Sequence, residues 1–317
     1  MKNNSIRLNI QRILLILLSV ISIINITVSP ANSFPIYAQQ GYDNPREATG
    51  RIVCANCHLA QKTVSIEVPK SVLPNSVFEA KVSIPYETNT EQILGNGIKG
   101  NLNTGAVLIL PEGFKLAPKS TLNDEMKDKT KNFYIQPYSI SKENILVIGP
   151  LSGKNNKEII FPILSPDPQK DKNIFFLKYP IYVGGNRGRG QIYPTGDKSN
   201  NNIITSTVNG KINNIEERAS GGFLINIEKT NGETTSEEIP KGLKVIVSEG
   251  NNISINQNLT NDPNVGGFGQ NETEIVLQSP TRIKSMILFF ISVTLAQIFF
   301  VLKKKQWEKV QAAEMKF

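Results

Sequence analysis

The chain has 317 residues, enough for one large domain or two modest ones. Its formal net charge of +8 is concentrated at the two ends, because residues 34–283 hold 26 basic against 25 acidic side chains. With no long basic run interleaved with aromatics, that balance excludes a nucleic-acid surface, and a single histidine leaves no nucleophilic triad.

Residues 1–33 carry Lys2, Arg7 and Arg12 and no acid, then the apolar run ILLILLSVISIINITV at 13–28, then Pro30 and Ala31-Asn32-Ser33. A charged start, an apolar middle and small residues at −3 and −1 define a cleaved signal peptide over 1–33. The run is short for a membrane span and Ser29-Pro30 breaks it, which weighs against an uncleaved anchor. The mature chain then begins at Phe34, in an exported compartment.

CANCH at 54–58 follows, holding both cysteines and the one histidine of the chain. Cys-x-x-Cys-His is the attachment spacing of a c-type haem. Two thiols three residues apart on one turn can add to two vinyl groups, and the adjacent histidine is then placed beneath the iron. This segment is also the best candidate for a helix in the body. A redox dithiol prefers a βαβ context and a zinc site needs further ligands, and the sequence supplies neither. One haem c is therefore expected, held by Cys54 and Cys57.

Composition restricts the other face of the iron. Met1 leaves with the signal peptide, Met286 and Met315 lie in and beyond an apolar C-terminal segment, and Met126 sits in TLNDEMKDKTKN, which reads as a solvated loop. The remaining donors are a lysine, a tyrosine, water, or the α-amino group of Phe34. That amine, with an unperturbed pKa of about 8, sheds its proton more readily than a lysine. An open iron would instead suit a membrane-anchored c-haem peroxidase or gas-binding protein.

The body reads as short strands: TVSIEV (63–68), VFEAKVSI (77–84), AVLILP (106–111), ILVIGP (145–150), EIIFPIL (158–164), IFFLKYPIYV (174–183), FLINIE (223–228), LKVIVSE (243–249) and EIVLQ (274–278). Asn-Gly, Pro-Glu-Gly and Gly-Gly turns punctuate them, which indicates an all-β exported body. GDKSNNN at 196–202 reads as a linker, 203–263 as a small second β unit, and VGGFGQ at 265–270 as the return to the main body. GGNRGRG at 184–190 lacks dinucleotide-fingerprint spacing, and the Asn-x-Ser/Thr sites at Asn252, Asn258 and Asn271 lack any sign of a glycosylating route.

SMILFFISVTLAQIFFVL at 285–302 has no charge. As a helix it is about 27 Å long, enough to cross a bilayer core. Lys303, Lys304 and Lys305 follow at once and hold the C-terminus on the cytoplasm-equivalent side.

In order, FPIYAQQGYDNPREATGRIVCANCHLA, IPYE, GAVLILPEGFKLAP, GGNRGRGQIYP, DPNVGGFGQNETEIVLQ and LAQIFFVLKKKQWEKVQ closely resemble the cytochrome f family of oxygenic photosynthesis. The resemblance runs from about residue 34 to the end. It implies a mainly β, elongated, two-domain lumenal protein with one C-terminal transmembrane helix. The large β-sandwich haem domain would span 34–202, completed by 264–283, with a small inserted β domain at 203–263. The transmembrane helix would span 284–303 and a stromal tail 304–317. It implies a c-type cytochrome electron carrier, not an enzyme in itself, in the thylakoid membrane of a plastid or cyanobacterium. Its partners would be cytochrome b6 and the Rieske iron–sulfur protein of the cytochrome b6f complex, and plastocyanin or cytochrome c6.

By position, the resemblance makes His58 the fifth iron ligand and the Phe34 α-amino group the sixth, with Phe34 where the family more often has Tyr. Tyr37, Pro150 and Pro194 would pack beside the haem. Gln92, Asn186, Gln191 and Asn201 match positions around the family's internal water chain. Lys99, Arg187 and Arg189 stand for partner docking. Glu91, Ile98 and Ser220 occupy positions where plant relatives usually carry lysine, which thins that patch.

Overall fold

The structure is a computed structural model that describes residues 35–315. The signal peptide expected over 1–33 and Phe34 lie outside the described residues. Two sheets face each other. The first has strand order β1 (Ser65–Glu67), β3 (Val77–Ser83), β10 (Glu158–Leu164), β7 (Lys115–Leu116). The second has order β2 (Ser71–Val72), β16 (Gly267–Leu277), β11 (Lys178–Arg187), β6 (Asn103–Ile109), β9 (Lys142–Ser152), β8 (Gln136–Ser139).

Alternation in β3 explains how the sheets meet. Phe78, Ala80 and Val82 are buried, and the register with β10 sets Ile163, Phe161 and Ile159 opposite them. Their side chains pack against Ala106, Leu108, Ile148, Ile181, Val183 and Ile275 of the six-stranded sheet. Burying each of the Phe, Ile, Leu and Val side chains among them stabilises by roughly 1.5–3 kcal/mol.

β6 is different, because Thr104 through Ile109 are all buried. Ala106 and Leu108 face the inter-sheet core, whereas Val107 and Ile109 face an outer cluster with Ile52, Tyr138, Ile145, Val147 and Phe268. A strand covered on both faces reads as a continuous apolar run, as AVLILP does. The cover on the outer face comes from residues before β1, and this is where the site forms.

A separate four-stranded sheet has order β14 (Thr234–Ile239), β13 (Phe223–Glu228), β12 (Gly210–Glu217), β15 (Asn252–Ile253). Its own core gathers Ile212, Ile225, Ile227, Ile239, Leu243, Ile253 and Leu259. Ile93, from the hairpin of β4 (Glu91–Ile93) and β5 (Lys99–Asn101), joins that core. At the hairpin turn Gly97 has φ +79°, and a Cβ there would meet the Lys241 carbonyl oxygen at 2.6 Å. Only glycine fits that contact. LKVIVSE, expected as a strand, makes one bridge, Val245 to Thr260, although Leu243, Val245 and Val247 still pack on the core.

Three α-helices complete the described chain: α1 (Ile36–Gly41), α2 (Asp124–Thr130) and α3 (Pro280–Glu314). α2 occupies the stretch expected as a loop. Asn123 Oδ1 accepts from Met126 N at 2.9 Å, with Asp124 and Glu125 in the first turn and Lys127 and Lys129 in the last. That charge order complements the helix dipole. α3 has 35 residues, longer than the span at 284–303. Its length of about 52 Å exceeds a bilayer core of about 30 Å, and it continues through Lys303–Lys305. The Ser292 and Thr294 hydroxyls donate to Leu288 and Phe290 carbonyls, both at 2.8 Å, so neither is left unpaired in the apolar run.

Candidate haem site

The Cys-x-x-Cys-His segment lies on the outer face of the six-stranded sheet. Buried Ile52 and Val53 pin it there. Ile52 N donates to Gln270 Oε1 at 3.0 Å and Val53 N to Pro45 O at 2.9 Å. In place of the expected helix, Val53–Asn56 forms one 3-10 turn. Cys57 N and His58 N both donate to Cys54 O, at 3.2 and 3.0 Å. One turn suffices to bring both thiols and the imidazole together. Both cysteines are free, and Cys54 and Ala55 pack into the outer cluster with Ile52, Phe268, Ala38 and Tyr182.

GGNRGRGQ supplies the seat. A Cβ on Gly190 would come within 3.0 Å of Cys57 O, so the two backbones meet closely at that glycine. Gln191 N donates to Cys57 O at 2.7 Å, and Gln191 Oε1 accepts from Leu59 N at 2.9 Å. Asn186 Nδ2 lies 3.4 Å from His58 Nε2. The start of the described chain is tied to the same face. Tyr138 Oη lies 2.6 Å from the carbonyl oxygens of both Ala38 and Tyr42, and Gln39 Nε2 donates to Tyr138 O at 2.8 Å. Tyr37 is half-buried on this clamped helix. Pro150 is half-buried in β9, and Pro194 is exposed in the loop after β11.

Burial dominates the electrostatics. It pushes the Cys54 thiol up to about 12, raises that of Cys57, and pushes His58 down to about 4. His58 is 7% exposed, and its Nδ1 is buried with no hydrogen-bond partner among the described residues. Buried polar atoms are rarely left so. A neutral imidazole with lone-pair density, two protonated thiols on the same turn and an apolar surround fit a covalently held haem.

The four polar residues of the expected water chain fall on one side of this turn. Asn186 faces His58, while the other three converge on the main chain of Arg189. Gln92 Oε1 accepts from Arg189 N at 2.8 Å, Asn201 Nδ2 donates to Arg189 O at 3.0 Å, and Gln191 Nε2 to the same oxygen at 3.4 Å. Gln92, Gln191 and Asn201 are buried, and Asn201 Oδ1 has no partner among the described residues.

The docking residues separate. Lys99 is exposed on β5. Arg187 is 2% exposed and cannot meet a partner, because its guanidinium points inward and Nη2 donates to Thr63 O. Arg189 is used internally, donating to Ile93 O at 2.8 Å, Asn200 Oδ1 at 2.6 Å and Tyr193 Oη at 3.1 Å. Met126 is also remote from His58. Lys129 of its helix pairs with Glu79 at 3.1 Å on the outer face of β3, so both sheets lie between Met126 and His58. Tyr138 in QPYS and Gln270 in GFGQNETE, which hold the site's two segments, stand in largely polar stretches and carry no sequence signal for that role.

Comparison with known proteins bears directly on this arrangement. The family described as Apocytochrome F, N-terminal, matches residues 34–188, and Apocytochrome F, C-terminal, matches residues 200–317. The chain belongs to the cytochrome f family. Cytochrome f of Gracilaria tenuistipitata var. liui is 68% identical over 310 residues, covering 98% of this chain and all of that protein. Cytochrome f of Porphyra purpurea is 66% identical over 302 residues, covering 95% of this chain and 94% of that protein. Membership implies a c-type haem and a place in the cytochrome b6f complex, and the apolar α3 fits a single pass through the thylakoid membrane.

Proposed function

We propose that the chain carries one electron at a time from the Rieske iron–sulfur protein to plastocyanin or cytochrome c6, without making or breaking substrate bonds. The observation that most supports this is His58: buried, neutral, unpartnered at Nδ1, and on one turn with two free thiols. Cys54 and Cys57 would hold the haem covalently through their two thiols. The haem iron supplies the one-electron redox couple.

His58 would hold the iron through a ring nitrogen, together with the α-amino group of Phe34 freed by removal of 1–33. The Tyr138 clamp on α1 supports this, since it holds the chain just after Phe34 against the cluster that includes Cys54. Tyr37, Pro150 and Pro194 shield the haem from water. Asn186, Gln191, Asn201 and Gln92 form the polar path beside it. The β body faces the lumen, and Lys303–Lys305 keep the C-terminus stromal.

The test is a pyridine-haem and reduced-minus-oxidised spectrum of the purified full-length protein, with N-terminal sequencing. A sharp reduced α band of six-coordinate low-spin haem and an N-terminus at Phe34 are expected. A high-spin, five-coordinate spectrum would overturn the carrier reading in favour of an open iron site.

A further inference from the structure

Arg187 is an unusual residue for the end of a sandwich core. Side chains alternate along β11, so Asn186 faces His58 on the outer side and Arg187 turns to the inner side. Gly185, two residues earlier, confirms the face: a Cβ there would touch Val64 and Ile84 of the inter-sheet core. The guanidinium is thus buried at one end of that core. Nη2 donates to Thr63 O, Nε is buried with no partner, and no carboxylate pairs with it among the described residues. An arginine cannot shed its proton, so an uncompensated charge at this depth is strongly unfavourable.

The groups around it are also donors. Tyr86 packs on the same core, with its Oη buried and unpartnered. Ile84 N donates to Lys157 O at 2.7 Å, which brings the segment that carries Tyr86 against the loop at 156–157. Thr104, the cross-strand neighbour of Arg187 on β6, donates its hydroxyl to Asn156 O at 3.3 Å and so holds that loop in place. The exposed Lys157 has its Nζ 5.6 Å from the centre of the Tyr86 ring. An N–H, an O–H and an ammonium share this corner, and neither Arg187 nor Lys157 pairs with a carboxylate among the described residues. Water could satisfy the hydrogen bonds but would leave the charge unbalanced.

The geometry points to a binding site for a small monovalent anion of the halide class, between Arg187 Nε and Tyr86 Oη, with Lys157 at its mouth. The anion accepts from both unpartnered donors and neutralises the guanidinium.

The experiment uses the full-length haem-loaded protein in detergent. At constant ionic strength, replacing gluconate by chloride should raise the melting temperature by several degrees. Tyr86→Phe, which keeps the ring and removes one donor, should at least halve that rise, and Arg187→Met should abolish it. If Arg187→Met does not accumulate, Tyr86→Phe decides alone. Crystals grown with bromide as the only halide should show an anomalous peak within hydrogen-bond reach of Arg187 Nε. A water there with no anomalous signal, or a chloride response unchanged in Tyr86→Phe, overturns the site.

Discussion

His58 and Arg187 are buried bases on opposite faces of the six-stranded sheet, one facing Asn186 and the other the next residue along β11. The same desolvation has opposite chemical consequences. Burial pushes the imidazole down to about 4, so it drops its proton and presents a nitrogen lone pair. Burial lowers the guanidinium too, but from a value so high that the charge persists. The outer face therefore becomes a place for a metal ligand, and the inner end becomes a place that requires negative charge.

The largest expected effect separates the faces outright. Cys57→Ser or His58→Ala should remove most of the covalently bound haem from the mature protein, read by pyridine-haem content per chain. Tyr86→Phe, on the inner side, should leave that content unchanged. Haem retained at wild-type level in His58→Ala would break the comparison at its first term.

The second effect is a pH window. In the Cys54→Ser, Cys57→Ser chain, which has no haem attachment, His58 titrates freely. Its folded value of about 4 lies below the unfolded value of about 6.5, so the unfolded chain takes the proton first. The His58 contribution is complete above pH 6.5 and is lost as pH falls towards 4, on the order of 3 kcal/mol in all. Denaturant titrations should show this loss relative to the same chain carrying His58→Gln. Parallel pH curves for the two chains would mean that His58 is solvated. Arg187 contributes no slope in this window.

A smaller loss is expected where α1 is fastened to the outer face. Tyr138→Phe leaves the Ala38 and Tyr42 carbonyls without their shared donor. This should destabilise the haem-loaded protein by about 1–2 kcal/mol, read as a lower denaturant midpoint with unchanged m. No change in midpoint would show that water replaces the hydroxyl at no loss.

The mainly β class and the apolar C-terminal helix were legible because their patterns are set by burial. EIIFPIL and FLINIE coincide with β10 and β13, where alternate side chains enter a core. GKINNIEE and TTSEEI did not read as strands, since β12 and β14 have largely polar, half-exposed outer positions. α2 was missed although its signals were present, an Asn cap followed by acids and then lysines, because seven residues show no apolar period. CANCH announced its chemistry by spacing, yet its local shape is one 3-10 turn held by Gln270 and Gln191 from far along the chain. No local pattern encodes such contacts. Arg187 was misread as a surface cation because a charged side chain is usually solvated, and its face depends on the register of a Gly-rich strand.

That misreading sharpens the smallest effect, on encounter with an acidic electron acceptor. Residues 34–283 are nearly neutral, with 26 basic against 25 acidic side chains. Arg187 is turned inward and Arg189 is held by Ile93, Asn200 and Tyr193, so neither guanidinium is presented to a partner. Lys99 stays exposed on β5, with Lys241 alongside the hairpin turn at Gly97. Its neighbour Ile98 is 55% exposed and apolar, and Glu91 on β4 is an exposed acid. Steering speeds association strongly only when complementary fields reach beyond the Debye length, about 8 Å at physiological salt. Two lysines beside an acid give little field at that range, so apolar contact must carry more of the docking. Electron transfer to plastocyanin should therefore slow only a few-fold from low to physiological salt in stopped-flow measurements. Glu91→Lys with Ile98→Lys should steepen the salt dependence and raise the low-salt rate. A wild-type slope as steep as that of the double variant would show that charges elsewhere on the surface guide the partner.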